Sequence, residues 1–457
     1  MSDNGNSTPK GLMARSREIL NLAAKLSGRE IAKRVSMSKS LSAVEKLRLQ
    51  VEHQVGQAKL VAQSLGRLKG AAMKLGQLVS IEGADFFPPE VLEVLAQLQD
   101  NAPAMDPAAA KAALRAGLGE RADRLVNFCA SPVASASIGQ VHRAELDGRT
   151  VAVKVQFPGV EESIDADLAL LRKMLGGLLA VSGREIPLDP LLEELGSLLH
   201  QEVNYENEAQ LMRDYAGRLA RALGVEAREE NLLCEVGDYV LAVPVEALSG
   251  KTVLTMGYLD GVRFADWLRT KPSLADRERV GRLVLDLYEA EFFRAGCVQT
   301  DPNFANFFVL PGPKGPRLGL LDFGATKTYD ENFRAEYLKL LLCIREGSRE
   351  ELLREAERMH LVDARESRET MDAFVEMLRV SVEPFAPEAQ PFDFADGDYA
   401  KLVRETTTRF TTLVRYSPPP RALIFLHRKL GGVFQMLKRC EVRMDLTDFW
   451  KRVEARA

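Results

Sequence analysis

The chain has 457 residues, 46% of them hydrophobic and 28% charged, with a formal net charge of −4. That much apolar material predicts a core divided over two lobes or more, and so balanced a charge excludes nucleic acid as the main partner. The five cysteines are scattered with no CxxC pair, which excludes a disulfide framework and a thiolate zinc site and fits a reducing compartment.

Residues 1–10 are small and polar, with nothing to bury, and read as disordered. They lack the charged-then-apolar layout of a secretory signal, and no apolar run reaches the roughly 20 residues that cross a bilayer. The expectation is a soluble protein of the bacterial cytoplasm, peripheral at the inner membrane, or mitochondrial in a eukaryote. Residues 11–50 are basic, with Arg15, Arg17, Lys25 and six further cations against Glu18, Glu30 and Glu45. Leu12, Ile19, Leu22 and Leu26 recur at helical intervals there. Such a helix either lies on an anionic membrane or presents a solvated face; a mitochondrial presequence is a third reading, opposed by Asp3 and Glu18.

Residues 51–105 read as a helical extension: the periodicity of LVAQSLGRLKGAAMKLGQLVS ends at FFPPE, whose prolines open a new helix. PAAAKAALRAGL continues the helical signal. Over 106–260 the texture turns to strands. SASIGQVHRAEL and TVAVKVQF flank Asp147-Gly148, a hairpin signal, and helices are expected over 161–182 and 189–222. LLCEVGDYV, LAVPVEAL and TVLTMGYL read as further strands completing one small antiparallel sheet. From 261 to 457 the pattern is mainly helical. The fold class is α+β: a helical N-terminal extension, a small strand-rich lobe and a helical large lobe.

The chemistry lies in four segments. Ala134, Ser135, Ala136, Ser137, Ile138, Gly139, Gln140 and Val141 hold the frame of a kinase phosphate loop, G-x-G-x-x-G-x-V, with alanine at the first two glycine positions. Backbone N–H groups stay available to phosphates there, without the freedom of glycine. Val151-Ala152-Val153-Lys154 matches the strand whose lysine neutralises the α- and β-phosphates; the plain alternative is a lysine snorkelling to solvent. Asp301 to Asn306 has the Asp–Asn spacing of a kinase catalytic loop, with Gln299 and Thr300 in place of His and Arg. Leu321-Asp322-Phe323-Gly324 supplies a DFG. Asn306 and Asp322 offer hard oxygens to Mg²⁺, which leaves Asp301 to orient a nucleophile or accept its proton. Each segment alone is weak; their order and context together predict a bilobal protein-kinase-like fold binding ATP and Mg²⁺. The helical glutamate that pairs with Lys154 is sought at Glu202 or Glu208, six apart and so on nearly one face of a helix.

These residues resemble the UbiB (AarF-type) family of atypical protein-kinase-like ATPases, in its coenzyme Q biosynthesis branch. The resemblance runs from about residue 55 to about residue 440. Lys74-Leu75-Gly76-Gln77 matches the family's KxGQ hallmark, followed by LQDNAP, and QTDPNFANFF with LLDFGAT matches the branch. It implies that Lys74, Gly76 and Gln77 lie across the nucleotide cleft as a regulatory segment. Glu208 takes the lysine-pairing place, and Glu202 opens an ExD motif whose aspartate is here Asn204. It also implies that Met256, Gly257 and Leu259 form the adenine hinge, with Gly257 where an acidic residue is usual. The expected partners are nucleotide, a quinone-precursor lipid or other coenzyme Q biosynthesis proteins, and a membrane surface. No Ala-Pro-Glu follows the DFG, and a helix starts at about Glu331, which leaves little activation loop. The leading expectation is an ATPase. The alternatives are a phosphotransferase on protein, lipid or small molecule, and a nucleotide-gated scaffold without turnover.

Overall fold

The structure is a computed structural model that describes residues 105–136, 138–169, 172, 188–301, 303–416 and 421–456. The basic segment 1–50, the KxGQ residues Lys74, Gly76 and Gln77, and loop residue Ser137 therefore lie outside the described residues. The described chain divides into two compact units: residues up to Asn207 with Val245–Thr255, and Glu208–Pro244 with the residues from Met256 on.

The described part of the first unit opens with α1 (Pro107–Leu118). Asp106 caps it, its carboxylate accepting from the Ala108 and Ala109 N–H groups, and Pro107 starts it at no hydrogen-bonding cost. Leu114 and Leu118, four apart, face its core. A four-stranded sheet follows in the order β1 (Ala134–Ser135), β2 (Gly139–Leu146), β3 (Arg149–Gln156) and the start of β7 (Val253–Gly257). The β2–β3 hairpin closes on Asp147 and Gly148 at φ +49° and +75°, as the two-residue signal predicts. The last six residues of β3 are all buried, as in a strand covered on both faces.

α2 (Leu188–Glu202) ends where Val203 and Asn204 break the helix, and α3 (Tyr205–Leu223) then carries the chain into the second unit. There a six-stranded sheet runs in the order β4 (Ala227–Glu230), β5 (Leu233–Val236), β6 (Tyr239–Ala242), β11 (Arg317–Leu320), β10 (Phe307–Leu310) and β8 (Val262–Arg263). LLCEVGDYV spans β5 and the start of β6, whereas no separate strand forms over LAVPVEAL: Leu241 and Ala242 end β6, and Glu246–Leu248 make a 3-10 turn. β5 and β6 do not complete the small sheet. They join this second sheet, where β6 pairs in parallel with β11. The pairing partner lies some 80 residues away in sequence, beyond the reach of any local pattern.

The helical part of this unit includes α4 (Phe264–Arg269), α5 (Leu274–Glu289), α6 (Glu331–Glu346), α7 (Arg349–Arg358), α8 (Arg368–Val382), α9 (Gly397–Leu413), α10 (Arg421–Cys440) and α11 (Thr447–Glu454). α6 begins at Glu331, where the sequence places it. A π-helical turn, Ala290–Ala295, extends α5 and ends at Gly296, whose φ of +58° and close approach to the Tyr329 carbonyl leave no room for a Cβ. Phe292 from that turn meets Phe293, Tyr329 and Tyr337 edge-on, forming an aromatic core under the strand that leads to Asp301. Among the described residues no helix is long and apolar enough to cross a membrane.

Candidate nucleotide site

In the second unit, β9 (Cys297–Gln299) pairs with β12 (Thr326–Thr328), which holds the catalytic-loop sequence beside the DFG sequence. The Leu321 N–H donates to the Asn306 carbonyl at 2.9 Å, and the Gln299 side-chain amide donates to the Asp322 carbonyl at 3.1 Å. The Asn306 amide donates to one oxygen of Asp301 at 3.0 Å, which leaves its own oxygen as the acceptor available to a cation. The other Asp301 oxygen accepts from Arg428 at 3.4 Å. Asp322 is exposed, and one of its oxygens accepts from the Gly324 N–H at 3.2 Å. Its φ is +58°, a left-handed conformation that Asp and Asn tolerate better than most residues. A carboxylate and an amide on facing turns suit Mg²⁺, which keeps several waters and takes phosphate oxygens in place of a full protein cage.

Behind these groups lies a buried polar network absent from the sequence reading. Glu291 is 1% exposed; it faces Lys429 at 2.9 Å and accepts from the Tyr215 hydroxyl at 2.7 Å and the Gln299 N–H at 3.1 Å. The Tyr215 ring packs on Phe323 of the DFG at 4.7 Å, and burial together with Glu291 holds its phenol well above the ordinary tyrosine pKa. Arg428 and Lys429 come from a helix whose sequence, IFLHRKLGGVF, is apolar apart from these two and His427. Two adjacent cations in such a run were the available signal.

In the first unit, Lys154 is 9% exposed, with its ammonium 4.9 Å from the centre of the Tyr205 ring. It does not snorkel. Ala134 and Ser135 form β1, and the Ala136 N–H donates to the Gly139 carbonyl at 2.9 Å, so the alanine loop is a tight hairpin tip. Ile138 is buried, and Val141 pairs across to Ala134. Gly139 has a packing reason of its own: a Cβ there would stand 2.5 Å from the Val155 carbonyl and 2.7 Å from the Tyr205 hydroxyl.

One expectation needs correction. Glu202 and Glu208 do not share a helix face, because α2 ends at Glu202 and α3 begins at Tyr205. Glu208 is buried and Glu202 half-buried. Asn204 explains the break: its side-chain oxygen accepts from the Glu206 N–H at 3.1 Å and caps α3. An aspartate would cap equally well, so this part of the ExD position survives the substitution. In the second unit, Met256 and Gly257 end β7, and Leu259 packs in a cluster with Val240 and Leu310. A Cβ on Gly257 would stand 1.9 Å from the Leu232 carbonyl, which is why no acidic side chain fits there.

A model of the ABC1 atypical kinase-like domain matches residues 97–356 of this chain. The atypical kinase COQ8, mitochondrial, of Schizosaccharomyces pombe is 31% identical over 379 residues, which cover 82% of this chain and 59% of that one. The atypical kinase COQ8B, mitochondrial, of Rattus norvegicus is 30% identical over 405 residues, covering 86% and 71%. A solved Mycobacterium tuberculosis protein in complex with erythromycin superposes with a TM-score of 0.57 at 28% identity, covering 85% of this chain and 93% of that one. The chain spans about half to three fifths of the length of the first curated relatives it matches.

Proposed function

The chain belongs to the ABC1 atypical kinase-like family, and on that premise we propose that it is a Mg-ATP-binding ATPase that supports ubiquinone (coenzyme Q) biosynthesis at a membrane surface. The observation that carries the reading is the local assembly of Asp301, Asn306 and Asp322, each held by a named hydrogen bond. Asn306 and Asp322 would hold Mg²⁺, which when bound supplies charge neutralisation for the phosphates. Asp301, oriented by Asn306 and Arg428, accepts or directs the proton of the attacking nucleophile. Lys154 at the phosphates, Glu208 as its partner, the hairpin from Ala134 to Val141 as the phosphate loop and Met256, Gly257 and Leu259 as the hinge are assigned by motif and family, with the burial of Lys154 and Glu208 as support.

Water is the proposed nucleophile. Six residues separate Gly324 from the start of α6 at Glu331, and β12 occupies half of them, which leaves no length for a loop that docks a protein hydroxyl. Lys74, Gly76 and Gln77, with Glu202, are proposed to restrict access further. A phosphotransferase would use the same residues, so the two readings separate on the acceptor.

The test of the physiological role is a strain deleted for this gene, complemented with wild type or Asp322→Asn, with quinone content measured by mass spectrometry. Wild type is expected to restore the quinone pool and the variant to leave it depleted. Equal restoration by both would overturn the proposal.

A further inference from the structure

The second unit holds a cavity of about 730 Å³ that contains none of the residues assigned to nucleotide. Five arginines line it: Arg218 and Arg221 from α3, Arg294 from the π-helical turn, Arg334 from α6 and Arg456 beyond α11. Phe293 and Leu338 supply an apolar wall, and Glu331 is the only carboxylate in the lining.

Two of the five arginines are braced from behind. Arg294 donates to the buried Glu289 at 2.8 Å and to the Ala222 carbonyl at 3.1 Å, and the Arg456 guanidinium lies 3.7 Å from the same carboxylate. Arg334 donates to the Phe293 carbonyl at 3.1 Å, while its Nε is buried with no partner. Among the described residues no carboxylate lies within 4.0 Å of Arg218, Arg221 or Arg334. Arg218 and Arg221 are three apart on one helix, so their side chains share a face.

Like charges gathered in a concave, partly apolar wall raise one another's energy, and the field is focused into the cavity. Among the described residues Arg218, Arg221 and Arg334 have no acidic partner to offset that repulsion, so a bound counter-anion would offset it. Guanidinium forks match phosphate oxygens two at a time, which a spherical ion such as chloride cannot exploit. The volume lies within the range of small-molecule sites, roughly 300–1,000 Å³. We infer that this cavity is a second ligand site, for a phosphate-bearing anion with a small apolar body, held by Arg218, Arg221 and Arg334 against Phe293 and Leu338. The phosphate belongs either to a soluble phosphoester or diphosphate or to a lipid headgroup. The inference is independent of the nucleotide reading.

The probe is inorganic pyrophosphate in the presence of a chelator, with chloride controls at matched ionic strength, followed by thermal unfolding of the full chain. At about tenfold above its dissociation constant, pyrophosphate is expected to raise the unfolding midpoint by about 3 °C. Asp322→Asn keeps that shift, which separates it from the nucleotide site, and Arg218→Gln/Arg221→Gln loses it. Should the double variant unfold without ligand, Arg221→Gln, at an exposed position, replaces it with a weaker shift as the expected result. A parallel sedimentation with phosphatidylglycerol or phosphatidylcholine vesicles identifies the source. Retention on the anionic vesicles alone, abolished by the same substitutions, assigns the phosphate to a lipid headgroup. A pyrophosphate shift unchanged in the arginine variants, or no shift together with vesicle binding indifferent to those arginines, would overturn the inference.

Discussion

Glu291 and Lys429 face each other at 2.9 Å with side chains 1% and 3% exposed, and neither is replaceable alone. Removing the ammonium strands a carboxylate in a space with no water to solvate it, at a cost of about 3–5 kcal/mol. Lys429→Met is therefore expected to lower the urea midpoint sharply and to loosen the Tyr215–Phe323 contact beneath the DFG sequence. A midpoint within error of wild type would remove the pair from the core. His142 sets a different residue-scale expectation. It is fully buried in β2, with Nδ1 2.9 Å from the Cys129 carbonyl, and burial lowers its pKa below the ordinary 6.5. The unfolded chain thus binds a proton that the folded chain refuses, so this residue's contribution to stability is complete above about pH 6.5 and is lost as pH falls below it. Urea unfolding at pH 7 and pH 5 should show a smaller difference in His142→Gln than in wild type, and an equal difference would contradict this. Residues of the two kinds differed in legibility. Asp301, Asn306 and Asp322 were readable because spacing along the chain is the signal, whereas Glu291, Arg428 and Lys429 meet only after folding.

At the scale of elements, the break between α2 and α3 is set by one side chain. Asn204→Ala removes the cap on the Glu206 N–H and should cost about 1 kcal/mol, while Asn204→Asp should be close to neutral. Gly257→Asp restores the acidic residue usual in the family but drives a Cβ into the Leu232 backbone, and should destabilise more than either. Denaturant midpoints of the three variants check the order, and a Gly257→Asp variant as stable as wild type would refute the packing explanation. The hairpin at Asp147-Gly148, the helix over PAAAKAALRAGL and the helix from Glu331 follow from local rules and were legible in advance. The allocation of β5 and β6 to the second sheet was not, since it depends on a parallel partner far along the chain. Nor was the α2–α3 break, because helical periodicity runs through Val203 and Asn204 and only the capping geometry shows the stop.

At the scale of the whole molecule, family membership covers residues 97–356 directly, and the relatives' similarity extends over most of the chain. The proposed activity is catalytic: turnover of Mg-ATP with water as acceptor, through Asp301, Asn306 and Asp322. Asp322→Asn is the decisive variant, since asparagine accepts the same left-handed backbone and the same turn to Gly324 while the proposed metal site would lose a charged ligand. One tube of γ-labelled ATP with the full chain and an added protein such as myelin basic protein follows phosphate release and protein labelling together. Wild type should release phosphate slowly and only with Mg²⁺, label no added protein, and lose at least about tenfold in release on Asp322→Asn. Strong labelling of the added protein by wild type, or phosphate release unchanged in the variant, would contradict the account.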